Sequence, residues 1–185
     1  MSLEQIDIMV LTETHMVSLP NSCQVVVLEQ TGLASRAGIA IIAKSGAGWE
    51  VPHREVLIPG HVVIVNVNHR ISRESFWVLG VYGDISQGQV SLSRFMERLR
   101  NRLTAFVRRQ AHTHWGGCFT MGDWNFVEHT GDRHPNYGSL TMLKKILACF
   151  KSIKKLCAMK DALGRGPVPT AWTYSKVTQS SIVYS

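Results

Sequence analysis

Apolar residues in the first half of the chain occur in short runs, many of which alternate with polar residues. Short alternating runs rich in β-branched side chains are typical of strands. Six runs predict strands, at Ile6–Leu11, Cys23–Glu29, Gly38–Lys44, Glu50–Ile58, His61–Asn68 and Phe76–Tyr82. Turn-like segments, including residues 31–36 and Pro59-Gly60, connect them. Strands joined by such short loops predict mainly antiparallel pairing, because parallel neighbours need long crossovers.

The run from His61 to Asn68 has apolar side chains on both of its faces. Val62 and Ile64 lie on one side together with Asn66, and the valines at 63, 65 and 67 lie on the other. Successive side chains of a strand point to opposite faces. The run is therefore predicted to be a central strand of a sheet.

Two later stretches repeat apolar residues every three or four positions, which predicts amphipathic helices. The first stretch carries Leu92, Phe95, Met96, Leu99, Leu103, Phe106 and Val107, and the second carries Leu140, Leu143, Ile146, Leu147, Phe150, Ile153 and Leu156. Ser91 or Ser93 is expected to cap the first helix. The second stretch is either one helix or two helices separated by a break. The arginines of the first helix form either a solvated outer face or a contact surface for DNA.

The size, hydrophobicity and charge of the chain indicate how many domains it has and what kinds of partner it could bind. A chain of 185 residues with 45% hydrophobic content is expected to form one domain. No apolar run is long enough to cross a membrane, and no secretory signal is visible, so we expect an intracellular protein with no membrane partner. The net charge of +7 favours polyanionic partners, in particular nucleic acid.

Candidate chemistry lies in the segment Thr120-Met121-Gly122-Asp123-Trp124-Asn125-Phe126, which is predicted to be a buried strand broken by Gly122. If the strand continues, Asp123 and Asn125 point the same way. A carboxylate beside an amide suits a hard cation and a phosphate oxygen. The alternative is a simple turn, because glycine, aspartate and asparagine all favour turns.

Two other predicted strands also end in polar groups. The first ends at Thr12-Glu13-Thr14-His15 and the sixth ends at Tyr82. With the Gly-Asp-x-Asn segment, these motifs resemble, in kind and order, those of the endonuclease/exonuclease/phosphatase superfamily, which includes abasic-site endonucleases and DNase I. The Leu-Thr-Glu-Thr-His form is most similar to the endonuclease domain of non-LTR retrotransposons and fungal relatives.

The resemblance implies an α/β fold of the DNase I-like kind, a two-sheet β-sandwich flanked by helices over residues 1–185. It also implies phosphodiester hydrolysis on DNA that depends on Mg²⁺ or Mn²⁺. Glu13 and Asp123 would bind the metal, Asp123 would also handle the attacking water, Asn125 would hold the phosphate or the water, and Tyr82 would donate a hydrogen bond to a phosphate oxygen. A retroelement origin would imply a nuclear location.

Three arginines complete the expected nucleic-acid contacts. Arg36 precedes the third predicted strand, Arg73 lies in the predicted hairpin loop 70–74, and Arg133 lies in the polar loop that follows the Gly-Asp-x-Asn segment.

The chain also departs from the family pattern. The family's first strand with its Asn has no counterpart and its terminal Ser-Asp-His is missing. Val183 stands where an Asp is expected, unless the match is shifted by one residue. An alternative is therefore a catalytically impaired remnant that only binds nucleic acid. A weaker alternative is a phosphatase or lipid phosphodiesterase on the same fold.

Overall fold

The computed structural model describes residues 7–20, 23–33, 37–110, 118–126 and 140–158. Arg36, Arg133, Val183 and the rest of the C-terminal segment lie outside these residues. The described elements are β1 Ile8–Thr12, β2 Val25–Leu33, β3 Ala37–Lys44, β4 Trp49–Ile58, β5 Val62–His69, β6 Ser75–Tyr82, α1 Gln89–Arg109, β7 Cys118–Asp123 and α2 Leu140–Leu156.

The first sheet has the strand order β1-β3-β2, and all of its pairs are antiparallel. Its central strand β3 is buried from Ala37 to Ala43, because it has a neighbour on each side and a second sheet across one face. The predicted linker at residues 31–36 was wrong for residues 31–33, and residues 34–36 lie outside the described residues. β2 continues to Leu33, where the backbones of Thr31 and Gly32 still pair with β3 after an irregularity between Val27 and Glu29.

The second sheet has the order β4-β5-β6-β7. The prediction that the fifth strand is central is confirmed, since β5 pairs antiparallel with both β4 and β6. The antiparallel pairing predicted for the early strands is confirmed, and β7, which that prediction did not cover, runs parallel to β6. A parallel partner requires a long crossover, and α1 lies in that connection.

The two sheets pack face to face, and both helices cover the outer side of the second sheet. Val63, Val65 and Val67 of β5 face the first sheet, whereas Val62 and Ile64 of β5 pack beneath the helices. The described residues therefore form a two-sheet sandwich with a helical layer, as expected. Burying each such valine or isoleucine contributes about 1.5–3 kcal/mol to stability.

The helices differ from the sequence-based expectations at two points. α2 is continuous from Leu140 to Leu156, so a break within it was the wrong alternative. Gly88, not a serine, occupies the N-cap of α1, and no side chain caps it. Ser91 lies inside the first turn, where its Oγ accepts a hydrogen bond from the Gln87 N–H at 3.0 Å. Neither α1 nor α2 is long and apolar enough to cross a membrane.

Candidate functional site

The parallel pairing of β6 and β7 sets the position of the candidate site. Parallel strands end at the same edge of a sheet, and Tyr82, the last residue of β6, pairs with Asp123, the last residue of β7. The Gly83 N–H donates a 2.8 Å hydrogen bond to the Asp123 carbonyl oxygen, which extends the pairing one step beyond β6. Two of the predicted site residues are therefore neighbours, although α1 and its flanking loops separate them in sequence.

Glu13 reaches the same edge from the other sheet. The Tyr82 side chain lies between the sheets, among residues that include Leu28 and Ile39. Its hydroxyl donates a 3.0 Å hydrogen bond to Glu13 Oε1, across 69 positions of sequence. One contact thus joins the ends of β1 and β6 and closes this edge of the sandwich.

The segment after β1 has an unusual backbone that is fixed by β3. Glu13 has φ 55° and His15 has φ 50°, in the left-handed region that costs non-glycine residues roughly 1–3 kcal/mol. The Thr14 N–H donates a 3.2 Å hydrogen bond to the Gly38 carbonyl oxygen. A Cβ at Gly38 would collide with the Thr14 side chain, so only glycine permits this close approach. The glycine of β3 therefore helps to aim Glu13.

The strand does not continue through Asn125, so the condition under which Asp123 and Asn125 would point the same way is not met. β7 ends at Asp123, and Asn125 has φ 55°. Asp123 Oδ1 accepts the Asn125 N–H at 2.8 Å, and Asn125 Nδ2 donates to the Gly83 carbonyl oxygen at 2.7 Å. The turn alternative describes the local geometry, and the turn holds both side chains next to the end of β6.

Gly122 allows β7 to pair with β6 up to its last residue, which places Asp123 opposite Tyr82. The strand does not break at Gly122, which has φ 123° and still pairs with Val81. A Cβ there would run into the Val81 carbonyl oxygen. β7 is also more exposed than expected, with Phe119 59% exposed and Asp123 exposed.

The electrostatics of the edge keep Tyr82 protonated. Burial raises the pKa of the Tyr82 hydroxyl to about 12, assisted by the hydrogen bond to Glu13 and by the negative charges of Glu13, Asp123 and Asp84. A tyrosine is a hydrogen-bond donor at neutral pH in any case, and the raised pKa keeps Tyr82 a donor at alkaline pH as well.

Two further residues of this edge were missed by the sequence reasoning. The His61 ring stacks on Tyr82 with centroids 5.6 Å apart and planes 9° apart, and His61 Nδ1 lies 2.8 Å from the Tyr82 carbonyl oxygen. Asp84 follows Tyr82 closely and contributes to its raised pKa. Asp84 could have been identified as another acid at the end of the sixth strand. His61 had no sequence signal, because strand pairing alone brings it beside Tyr82.

Of the three arginines expected to bind nucleic acid, only Arg73 lies in the described residues. Arg73 has φ 61° and lies in the loop between β5 and β6, at the opposite end of β6 from Tyr82. At about 3.3 Å per residue, β6 separates Arg73 from the candidate site by roughly 25 Å. Arg73 is thus not part of this edge.

The donor groups present suit a hard cation. Mg²⁺ is commonly held by one or two carboxylates together with waters and substrate phosphate. Glu13 Oε2 and Asp123 Oδ2 accept no hydrogen bond from the described residues, and both side chains are exposed. Among all the described residues, no group of three or more His, Cys, Asp or Glu side chains could hold a metal ion. Any metal held by Glu13 and Asp123 would therefore have no third His, Cys, Asp or Glu ligand among the described residues.

No protein-family model and no curated protein sequence matches this chain. Among solved structures, the chain is similar to the catalytic domain of APE2 from Xenopus laevis, with a TM-score of 0.49 and 14% sequence identity. The similarity covers 81% of this chain and 60% of the APE2 chain. This chain thus spans less than two thirds of the length of that solved chain.

Proposed function

We propose that this chain is a DNase I-like endonuclease domain that hydrolyses phosphodiester bonds of DNA with the help of Mg²⁺ or Mn²⁺. The observation that carries the proposal is the 3.0 Å contact between Tyr82 and Glu13 beside Asp123. Three polar strand ends, far apart in sequence, meet at one edge. The order of their motifs is also that of the superfamily which they resemble.

Asp123 is the candidate for handling the attacking water. Its Oδ1 accepts one hydrogen bond from the Asn125 N–H, and the other lone pairs of the carboxylate are left to accept a proton and to bind a cation. General-base assistance of this kind typically accelerates a reaction by about 10²–10⁴-fold. One Asn125 N–H is already donated to Gly83, so its remaining amide N–H and its carbonyl oxygen are the groups left to contact the phosphate or the water.

Tyr82 has one proton, which it donates to Glu13 in this structure. It therefore holds the Glu13 carboxylate in place, and it can donate to a phosphate oxygen only when Glu13 has another partner. In the proposed site, Glu13 and Asp123 hold the divalent cation. When bound, the cation would polarise the phosphate and offset its developing negative charge.

A second candidate function is nucleic-acid binding without efficient catalysis. It is favoured by the small number of metal donors, because the described residues contain no group of three or more that could hold an ion. Under this alternative the chain still binds DNA, and adding Mg²⁺ or Mn²⁺ is not expected to make it cleave DNA efficiently.

The proposal is tested by conversion of supercoiled plasmid to nicked plasmid in Mg²⁺, in Mn²⁺ and with a chelator. We expect slow nicking by the parent chain, abolition by the chelator, and at least a 100-fold lower rate for Asp123→Ala, following the magnitude typical of a catalytic base. Asp7→Ala is the matched control. It removes an exposed carboxylate just before β1, at the opposite end of that strand from Glu13.

Nicking that survives Asp123→Ala would show that the site lies elsewhere. A parent chain that binds plasmid but nicks it in neither metal would favour the second function. Loss of activity in Asp7→Ala would point to a general effect on folding, which far-ultraviolet circular dichroism of all three proteins would reveal.

A further inference from the structure

The outer face of α1 carries a row of arginines that play no part in the proposed site. Arg94, Arg98 and Arg102 follow one another at four-residue steps and are exposed. Residues four apart are neighbours on a helix surface, so their side chains form one stripe. With Glu97 and Asn101 they line an open depression of about 430 Å³. We call these three arginines the α1 stripe.

The stripe is not neutralised by its surroundings. Two of the other three arginines of α1 have partners, since Arg109 contacts both carboxylate oxygens of Glu55 at 2.7 and 3.0 Å and Arg100 lies 3.9 Å from Glu97. Within the described residues, the α1 stripe has no ion pair or hydrogen bond. Like charges four residues apart destabilise a helix by about 0.2–0.5 kcal/mol per pair. The stripe therefore weakens α1, and an external anion would relieve the repulsion.

The neighbouring helix extends the positive charge. α1 has six arginines and one glutamate, a formal charge of +5. α2 has five lysines and no acidic residue, which is another +5. The two helices pack together. Their combined charge of +10 exceeds the +7 of the whole chain, so the rest of the chain is net negative and the helical layer is the basic face.

The end of the α1 stripe that is nearer the start of the helix lies close to the candidate site. The first turn of α1 is tied to the site edge, because Ser91 Oγ lies 3.1 Å from the Asp84 carbonyl oxygen. At 1.5 Å per residue, Arg94 is about one helical turn further along, and Arg102 lies about 12 Å beyond Arg94. The stripe thus begins near the site and leads away from it.

We propose that the α1 stripe is a second contact surface, which binds the phosphate backbone of a nucleic acid beyond the segment held at the site. The identification of the bound polymer as a nucleic acid rests on the proposed function. Arginine favours phosphate because its planar guanidinium donates in pairs to phosphate oxygens. A membrane surface fits less well, because a membrane-binding helix inserts its apolar face, and the apolar face of α1 is buried in the core.

The experiment measures binding of the full chain to a duplex DNA oligonucleotide at several salt concentrations. The test variant replaces all three stripe arginines with glutamine, which has similar helix propensity. Each lost phosphate contact reduces the slope of log affinity against log salt by about one. We expect the slope to fall by two to three and the affinity at about 0.1 M salt to fall roughly 100-fold.

A matched control replaces Arg54, Arg70 and Arg73 with glutamine. These arginines are also exposed but belong to β4 and the β5–β6 loop, and their loss changes the net charge equally. The control should keep affinity within about threefold of the parent. An equal loss in both variants would overturn the proposal, because only net charge would then matter. Unchanged affinity in the stripe variant would overturn it as well.

Two further measurements separate this proposal from the proposed function. Turnover of the small substrate bis(p-nitrophenyl) phosphate should be unchanged in the stripe variant, since that substrate is too short to reach α1. Asp123→Ala should lose turnover and keep its affinity for DNA. Binding to anionic lipid vesicles that is stronger than binding to DNA, and is lost with the stripe, would assign the stripe to a membrane and overturn the nucleic-acid assignment.

Discussion

At the scale of single residues, Tyr82 links the parts of the candidate site. It packs between the sheets, stacks on His61, and donates its proton to Glu13. Its chemistry follows from this environment, because burial and nearby carboxylates both disfavour the phenolate. Tyr82 is therefore a structural bridge and a protonated donor at the same time.

The raised pKa of Tyr82 predicts a specific alkaline instability. Its pKa is about 12 in the folded chain against an ordinary 10.0. An unfolded tyrosine thus loses its proton first as the pH rises, and Tyr82 favours the folded state fully below pH 10. That contribution is lost between pH 10 and 12, by at most about 1.4 kcal/mol per pH unit. Urea unfolding of the parent and of Tyr82→Phe across this range should show a steeper decline for the parent.

Glu13→Gln provides the control for this effect. It removes one of the charges that raise the pKa of Tyr82 but leaves the burial of the ring, which is the larger cause. Its alkaline decline should lie between those of the parent and Tyr82→Phe. If parent and Tyr82→Phe declined in parallel, Tyr82 would not be the buried donor described above.

At the scale of elements, the connection from β6 through α1 to β7 builds the site. A parallel pair places two strand ends at one edge of the sheet, and α1 forms the crossover that connects β6 to β7. α1 is fixed at its far end by Arg109, whose Nη2 donates to both carboxylate oxygens of Glu55 on β4. Near the end of β7, Gly122 allows the close approach to Val81 that brings Asp123 level with Tyr82.

Gly122→Ala is predicted to disturb this arrangement more than an ordinary glycine substitution. A left-handed alanine costs roughly 1–2 kcal/mol, and the clash with the Val81 backbone should add roughly 1–3 kcal/mol. Gly46→Ala is the control, since Gly46 has φ 76° but nothing within 4 Å of an added Cβ. Chemical denaturation should rank Gly122→Ala well below Gly46→Ala in stability. Equal costs for the two variants would mean that backbone strain alone, and not the close approach to Val81, matters at Gly122.

At the scale of the whole molecule, the spacing between the sheets determines whether Tyr82 can reach Glu13. Gly80 lies two residues before Tyr82 on the same face of β6. A Cβ there would lie 3.1 Å from Ile39 Cδ1 and 3.3 Å from both Val10 Cγ1 and Val63 Cγ2. Glycine at this position therefore permits the close packing of both sheets beside the site.

Gly80→Val is expected to push the sheets apart at this edge. Overpacking of a buried position typically costs about 1–3 kcal/mol. The wider spacing between the sheets should weaken the hydrogen bond from Tyr82 to Glu13. Spectrophotometric titration should therefore show the pKa of Tyr82 moving down toward 10. Ser75→Val, at the exposed start of β6, is the control; it removes the side-chain hydrogen bonds to Asn66 but should leave the pKa of Tyr82 unchanged. A stable Gly80→Val with an unshifted Tyr82 would show that the sandwich tolerates the extra volume.

Much of the architecture was predictable from local patterns. The six early strands and both helices were identified from apolar periodicity, and the apolar side chains of β5 were divided correctly between its two faces. Other features depended on distant partners. β2 extends through residues 31–33 because β3 offers backbone groups there, and β7 is parallel because α1 returns the chain to the same edge.

The sequence by itself determined which residues carry usable chemistry and that strands deliver Glu13, Tyr82 and Asp123 to polar ends, because apolar periodicity and the residues that interrupt it are local properties of the chain. Only the tertiary structure decided that these ends share one edge, that the proton of Tyr82 is donated to Glu13, and that His61 stacks on the ring. It also decided that Asn125 turns away from the strand and that the stripe of α1 has no described acidic partner. These are relations between residues far apart in sequence, and they exist only once the two sheets and the helical layer have packed.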